Sequence, residues 1–409
     1  MSKIQLGVMF GSRSCEHEVS IISAVQLMRA ADRQTYDVIP IYISKKGEWF
    51  TGDPLLDVSA YTPFDENRKG IRRVQLDLTA GSRALITREQ GKGLFAKEQQ
   101  IVVARLDCVI PVFHGLHGED GTVQGLLELC NIPYASSGVG ASAIGMDKVY
   151  MKLFFQGCGF PVLPGRWFLR ADWEKDPEGV MDDIEKNLPY PVFVKPASLG
   201  SSIGVTRAND RTSLKEALEL AFEFDRKTLV EKGLCEPLEL NCSVLGYDGE
   251  AKASEIEMPI SGGDLLTFMD KYGSGGNSTK GMASLKRVLP APIEPELKER
   301  IQKLSVDIFK AMDCKGVVRI DYMFDSASQE LYITEINTIP GSLAFYLWEA
   351  CGLPYARLID RMVECAMKAE QDKEENNYAY TSDILKNISL GGKTGMKNGL
   401  KNARSTKEL

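Results

Sequence analysis

The chain has 409 residues, enough for two to four domains with sizeable cores. Its 44% hydrophobic and 26% charged content is ordinary for a soluble globular protein, and a net charge of −7 excludes a general nucleic-acid or membrane-surface binder. No apolar run approaches the ~18 residues of a membrane span. Nine scattered cysteines without a CxxC read as reduced thiols of a cytoplasmic protein, and three histidines exclude a histidine-rich metal centre.

In chain order, IQLGVMF reads as a first strand rather than a signal peptide, followed by a helix around Val19–Ala31 and the strand DVIPIYIS, the order of parallel βαβ units. Residues 51–100 are polar and broken and read as an insertion. LDCVIPVF then leads into HGLHGEDGTVQGLLELC, where Val123, Leu126, Leu127 and Cys130 fit one helical face. These elements form an N-terminal α/β domain, 1–137. A second region, 138–233, holds a helix near Lys148–Gln156 and then PVFVKPASLGSSIGV, a strand–glycine loop–strand. A third, 234–370, contains the strands GVVRIDYMF and ELYITEIN and closes on a helix through Leu358, Met362 and Cys365. Residues 371–409 form a polar tail, disordered at its very end. No internal repeat is present.

The two strands of the third region carry the strongest chemical signal. Side chains alternate faces, so Arg319 shares a face with Asp321, and Glu335 with Asn337. The turn-like DSASQE between them predicts a hairpin that gathers one guanidinium, two carboxylates and an amide. Such hard oxygen donors suit magnesium bound together with nucleotide phosphates. A structural Arg–Asp pair is the alternative for either strand alone.

Lys195, at a strand end, precedes Gly200-Ser201-Ser202-Ile-Gly204, whose small residues let backbone N–H groups approach phosphate. It is not a P-loop, because the GxxxxGK[ST] order is absent, and a structural turn is the alternative. Leu229-Val-Glu231-Lys232-Gly-Leu234, with Glu239 beyond, reads as a strand end with solvated charges or a hinge that presents groups to adenine and ribose. His114 to Gly121 and Glu16-His17-Glu18 occupy matching strand-to-helix turns, suited to an anionic or zwitterionic substrate or simply to the helix macrodipole. Lys271-Tyr272-Gly-Ser-Gly-Gly is a glycine-rich stretch that reads as disordered, which is compatible with a mobile loop of the kind that closes over a reactive intermediate.

With CEHEVS, HGLHGEDGTVQG, IPYASSGVGASAIGMDK, VKPASLGSSIGV, DKYGSGG and RIDYMF…EINTIPG in this order, the chain resembles the D-alanine–D-alanine ligases of the ATP-grasp superfamily over about Gly7 to Ala366. The resemblance implies a three-domain ATP-grasp fold: a parallel α/β N-terminal domain, and a nucleotide held between two antiparallel sheets. It implies that Glu16 holds the first substrate's ammonium in a network with Ser201 and Tyr272, and that His114 orients that substrate. Lys148, Lys195, Ser202 and Lys271 would contact ATP phosphates. Glu231, Lys232 and Leu234 would line the adenine site and Glu239 would bind ribose. Asp321, Glu335 and Asn337 would hold two magnesium ions, with manganese as an alternative, and Arg319 and the Gly341 N–H would stabilise the oxyanion. Small-molecule partners (D-alanine and ATP), no nucleic acid or membrane, and a homodimer are implied as well.

One departure stands out. Where the family places a small hydroxyl-bearing segment that binds the second substrate's carboxylate, this chain reads Gly341-Ser342-Leu-Ala-Phe-Tyr346-Leu347-Trp348. Ser342 or Tyr346, with Leu347 alongside, are the alternatives for that role. The activity implied is ATP-dependent formation of D-alanyl-D-alanine for peptidoglycan. A ligase of the same family that joins a different pair, D-alanine with D-serine or D-lactate among them, is the rival.

Overall fold

A computed structural model describes residues 2–90, 98–260 and 286–377. Lys271, Tyr272 and the tail beyond residue 377 lie outside the described residues.

The chain starts as its apolar pattern predicts. β1 (Ile4–Gly11) leads into α1 (His17–Ala30) and β2 (Tyr36–Ile43), and β1 pairs in parallel with β2 and with β7 (Cys108–Val112). Alternation sorts the side chains of β1 between two layers. Leu6, Val8 and Phe10 pack with Ala24, Leu27 and Met28 of α1, while Met9 packs on the other face with Val123 and Leu127 of α2 (Thr122–Leu129). Each such side chain contributes roughly 1.5–3 kcal/mol by leaving water.

The stretch expected to be an insertion is part of the sheet. β3 (Trp49–Thr51), β4 (Arg72–Leu76), β5 (Ala84–Gln90) and β6 (Glu98–Arg105) extend it by antiparallel pairing, in the order β6-β5-β4-β3-β2-β1-β7. The sequence hides these strands because they are short or largely exposed. In β4 only Val74 and Leu76 are buried, and β6 has no buried residue.

α3 (Val139–Met146) and α4 (Lys148–Gly157) follow, then β8 (Gly165–Leu169), α5 (Arg170–Lys175), α6 (Pro177–Asn187), β9 (Val192–Pro196), β10 (Thr206–Ala208), α7 (Arg211–Phe224) and β11 (Lys227–Lys232). The four strands form an antiparallel sheet, β10-β9-β11-β8. Asp210 starts α7, its carboxylate accepting from the Ser213 N–H at 2.8 Å. α3 and α4 precede this sheet in sequence but pack elsewhere: Ala141, Met151 and Phe155 join the core of the next sheet.

That sheet holds β12 (Leu238–Gly246), β13 (Lys252–Pro259), β14 (Arg287–Val288), β15 (Gly316–Asp325) and β16 (Glu330–Asn337), in the antiparallel order β14-β13-β12-β15-β16, covered by α8 (Pro295–Ala311). The chain ends in α9 (Phe345–Glu349) and α10 (Tyr355–Glu375). α10 returns to the first domain: Leu358, Ile359 and Met362 join the core of α1 and β1, and the Tyr36 hydroxyl donates to Asp360 at 2.9 Å.

Candidate active site

The predicted hairpin forms, and its register sets Asp321 opposite Glu335 and Arg319 opposite Asn337. The Arg319 guanidinium donates to both oxygens of Asp321, Nε to Oδ1 and Nη2 to Oδ2, each at 2.7 Å, and Asn337 Nδ2 donates to Oδ2 at 3.1 Å. Arg319 is buried, and although burial opposes its charge, Asp321 beside it keeps the guanidinium protonated. Glu335 lies 3.9 Å from Lys148 Nζ. Among the described residues, no three acidic, histidine or cysteine side chains gather into a metal site of their own. Asp321, Glu335 and Asn337 offer two carboxylates and an amide oxygen, a hard donor set that fits an ion whose remaining positions are taken by phosphate oxygens.

A cleft between the two antiparallel sheets runs along this surface. Lys148, Lys195, Ser202, Arg319, Asp321 and Glu335 line one part of it. A neighbouring cavity of about 430 Å³ has Phe193, Leu163, Leu238, Met258 and Met323 as apolar walls, with Glu231, Lys232 and Leu234 beside them. Lys195, Glu239, Pro259 and Met323 line both parts, which places Glu239 at their junction. An apolar-walled cavity that opens on a part lined by lysines and carboxylates suits a nucleotide's base and phosphates.

Charge in the cleft is held by pairs that the sequence did not reveal. The Glu231 carboxylate is buried between two ammonium groups, Lys152 and Lys195, each at 2.5 Å. Burial alone would raise its pKa, but the two lysines pull it down to about 2. Lys148 Nζ donates to the Leu199 carbonyl at 2.6 Å, tying α4 to the glycine loop. Lys152 lies four residues after Lys148, one turn further along the helix, a spacing that could have flagged it.

The glycine loop reaches the first domain. Ser201, at φ +52°, donates its hydroxyl to Glu16 Oε1. Gly115, at φ +73°, takes a backbone that favours glycine, and a Cβ on Gly115 or Gly200 would crowd Glu16 Oε2 at 2.7 or 2.9 Å. The buried His114 sits between domains, with Nδ1 3.1 Å from the Ile339 carbonyl and Nε2 2.9 Å from Ser23 Oγ. Burial, with Arg319 nearby, lowers its pKa to about 4. The neutral ring thus carries its proton on Nδ1, facing the carbonyl, and Nε2 accepts from Ser23. Ser23 Oγ in turn accepts from the Ser342 N–H at 3.1 Å. Glu119, a residue of the HGLHGEDG motif to which the sequence assigned no role, accepts from the N–H groups of Gly115 at 2.9 Å and Ile339 at 3.2 Å. Burial and the neighbouring Glu16 push it up to about 8.

These contacts hold a strained turn. After Pro340 and Gly341, Ser342, Leu343 and Ala344 all have left-handed backbones, with φ of 51, 52 and 49°. Ser342 is fully buried, and its hydroxyl has no hydrogen-bond partner among the described residues. Leu347 packs in a small apolar cluster with Ala344 and Tyr346. The Tyr346 hydroxyl donates to Glu257 Oε1 at 3.0 Å. The Tyr346 and Leu347 side chains are both buried, and the Tyr346 hydroxyl is engaged by Glu257. The Glu257 and Arg287 side chains, which line the cleft, had no local signal in the sequence.

Comparison with known proteins agrees with this geometry. Residues 5–137 match the family model described as D-ala D-ala ligase N-terminus, and residues 154–364 match D-ala D-ala ligase C-terminus. The chain is 38% identical to the D-alanine--D-alanine ligase of Thermosipho melanesiensis, covering 95% of this chain and 99% of the relative. It is likewise 38% identical to that of Bacillus velezensis, covering 90% and 98%. Among solved structures, the D-alanine-D-alanine ligase from Coxiella burnetii superposes with a TM-score of 0.74 at 27% identity, covering 92% of this chain and 97% of that one. The VanG D-Ala:D-Ser ligase from Enterococcus faecalis gives 0.75 at 30%, covering 89% and 100%. From the N-terminal sheet to the cleft between the two antiparallel sheets, this chain belongs to the D-alanine–D-alanine ligase family.

Proposed function

We propose that this protein is an ATP-dependent ligase that joins two D-alanine molecules into D-alanyl-D-alanine for peptidoglycan precursor synthesis, by way of an acyl phosphate. The observation that carries the reading is the Ser201–Glu16 hydrogen bond, which joins the glycine loop to the carboxylate suited to a substrate ammonium. Phosphate donor and amino acid must meet for the acid's carboxylate to be phosphorylated, and this contact draws their two sites together.

Carboxylate is a poor electrophile, so the γ-phosphoryl group of ATP is transferred to it first. Lys148 and Lys195 supply positive charge beside the phosphates, Ser202 borders them, and Glu239 lies where the ribose would sit, with Glu231, Lys232 and Leu234 near the base. Asp321, Glu335 and Asn337 are the residues that would hold two magnesium ions, which neutralise phosphate charge when bound. The second amino acid's amine then attacks the acyl phosphate, and phosphate leaves. Arg319 and the Gly341 N–H take the negative charge of the tetrahedral oxygen, a role worth about 3 kcal/mol per donor. Lys271 and Tyr272 are assigned to closure and the Glu16 network by resemblance. A homodimer in the cytoplasm completes the reading. No described helix is long and apolar enough to cross a membrane.

Phosphate release measured with ATP, magnesium and each of D-alanine, D-serine, D-lactate and L-alanine tests the proposal. Release with D-alanine alone, and a product with the mass of the dipeptide, is the expected result. Background release with D-alanine but turnover with another pair moves the chain to a different member activity. The buried Tyr346 in the departing segment is what keeps that second reading open.

A further inference from the structure

The Tyr346 hydroxyl and Asn241 Nδ2 both donate to Glu257 Oε1, each at 3.0 Å, while Arg287 Nη1 donates to Oε2 at 2.8 Å. The Arg287 guanidinium also lies over the Tyr346 ring, 3.7 Å from its centroid. Glu257 is 3% exposed, so its carboxylate serves as a fixed internal counter-charge. Three donors orient it, and it orients Arg287 in turn. The arginine side chain is 11% exposed and lines the cleft, on a wall shared with Arg319, Asp321 and Glu335. β14 places it there by pairing Arg287 with Pro259.

We propose that Arg287 is the group that binds the α-carboxylate of the second, attacking amino acid, and that Glu257 and Tyr346 are its positioning residues. This rests on the ligase reading above. A guanidinium held flat by a carboxylate and an aromatic face is suited to bidentate recognition of a planar carboxylate. Its neighbourhood selects the acceptor over the nucleotide. The phosphate end of the cleft carries Lys148 and Lys195 beside the glycine loop, whereas the Tyr346 hydroxyl is close enough to Arg319 and Arg287 to feel both charges. On the ligase reading Arg319 is the donor to the oxygen of the carbonyl under attack, and the acceptor's carboxylate lies only one carbon beyond the attacking amine. Ser342 is enclosed and cannot supply that contact from its buried position. The bulky segment of this chain thus replaces a substrate-binding hydroxyl with a tyrosine that supports an arginine from another strand.

D-Alaninamide tests this cleanly: it has no carboxylate to be phosphorylated and can enter the reaction only as acceptor. With D-alanine as donor, the parent should prefer D-alanine over D-alaninamide as acceptor by about 100-fold in kcat/KM, the scale of a charge-assisted bidentate contact. Arg287→Met should collapse that preference to within about three-fold while leaving the KM values for ATP and for the first D-alanine nearly unchanged. Tyr346→Phe keeps the ring under Arg287 and removes only the donor to Glu257. It should raise the acceptor KM several-fold, with little change for D-alaninamide. It serves if Arg287→Met fails to fold, and Arg287→Lys should restore part of the preference. A preference undiminished in Arg287→Met, an acceptor KM unchanged in Tyr346→Phe, or a loss seen equally for both acceptors or chiefly in ATP KM, overturns the assignment. A parent that forms no dipeptide from D-alanine at all defeats the ligase reading instead.

Discussion

Ser201, on the loop after β9, donates its hydroxyl to Glu16, 185 residues earlier at the start of α1. The bond joins a domain that resembles a nucleotide clamp to one that resembles an amino-acid site, so its loss should be felt in substrate binding before it is felt in folding. Glu16→Gln is expected to raise the KM for the first D-alanine about ten-fold or more, since a hydrogen bond to a charged group is worth ~1.5–3 kcal/mol. ATP affinity should stay within two-fold. Steady-state kinetics with each substrate varied in turn checks it, and an unchanged first KM would remove Glu16 from the ammonium site.

Glu335→Gln should leave the thermal melt close to that of the parent and reduce turnover about 100-fold or more at saturating magnesium, because an amide lacks the charge that holds the ion. Circular dichroism and kcat at increasing magnesium provide the test. Parent-like kcat would separate the hairpin from metal binding.

Glu231 holds two ammonium groups, and removing it takes the paired carboxylate from the buried Lys152 and the partly buried Lys195. Glu231→Gln should therefore destabilise the fold by about 3–5 kcal/mol, read from urea unfolding. A variant as stable as the parent would mean that water reaches these lysines freely.

His114 titrates near 4 in the folded chain against 6.5 unfolded. Between those values the unfolded chain binds the extra proton, so this contribution is fully present above pH 6.5 and is lost as the pH falls towards 4, a difference of about 3 kcal/mol. Glu119 acts in the opposite sense. Held near 8 against 4.5, it takes up its proton earlier in the folded state, which favours folding as the pH falls between those values. Comparing the parent with His114→Gln isolates the first effect: between about pH 7 and pH 4 the parent should lose ~2–3 kcal/mol more than the variant. Parallel stability curves would falsify a buried neutral imidazole.

Local pattern alone determined a good deal. Two-residue alternation in Arg319-Ile-Asp321 and Glu335-Ile-Asn337 fixes which side chains share a face, and the polar turn between the strands points to their pairing, so the gathering of these four side chains was legible from a short window. The glycine loop after Lys195 and the turns at Glu16 and His114 were legible for the same reason: their backbone needs are local, and small residues announce them. The roles of these residues came from likeness to a family rather than from spacing. Tertiary structure alone decided the partners. Alternation does not announce the burial of Glu231 or Glu257, since every residue from Lys227 to Glu231 is buried and Glu257 directly follows the buried Ile256. Nothing near them in sequence says that Lys152 meets the first, or that Tyr346 and Arg287 meet the second, 89 and 30 residues away. The strands between residues 51 and 105 escaped notice because an edge of a sheet buries too few side chains to impose a period. Which face of a strand is buried is a property of its own residues, whereas which charge waits on that face depends on how distant segments pack.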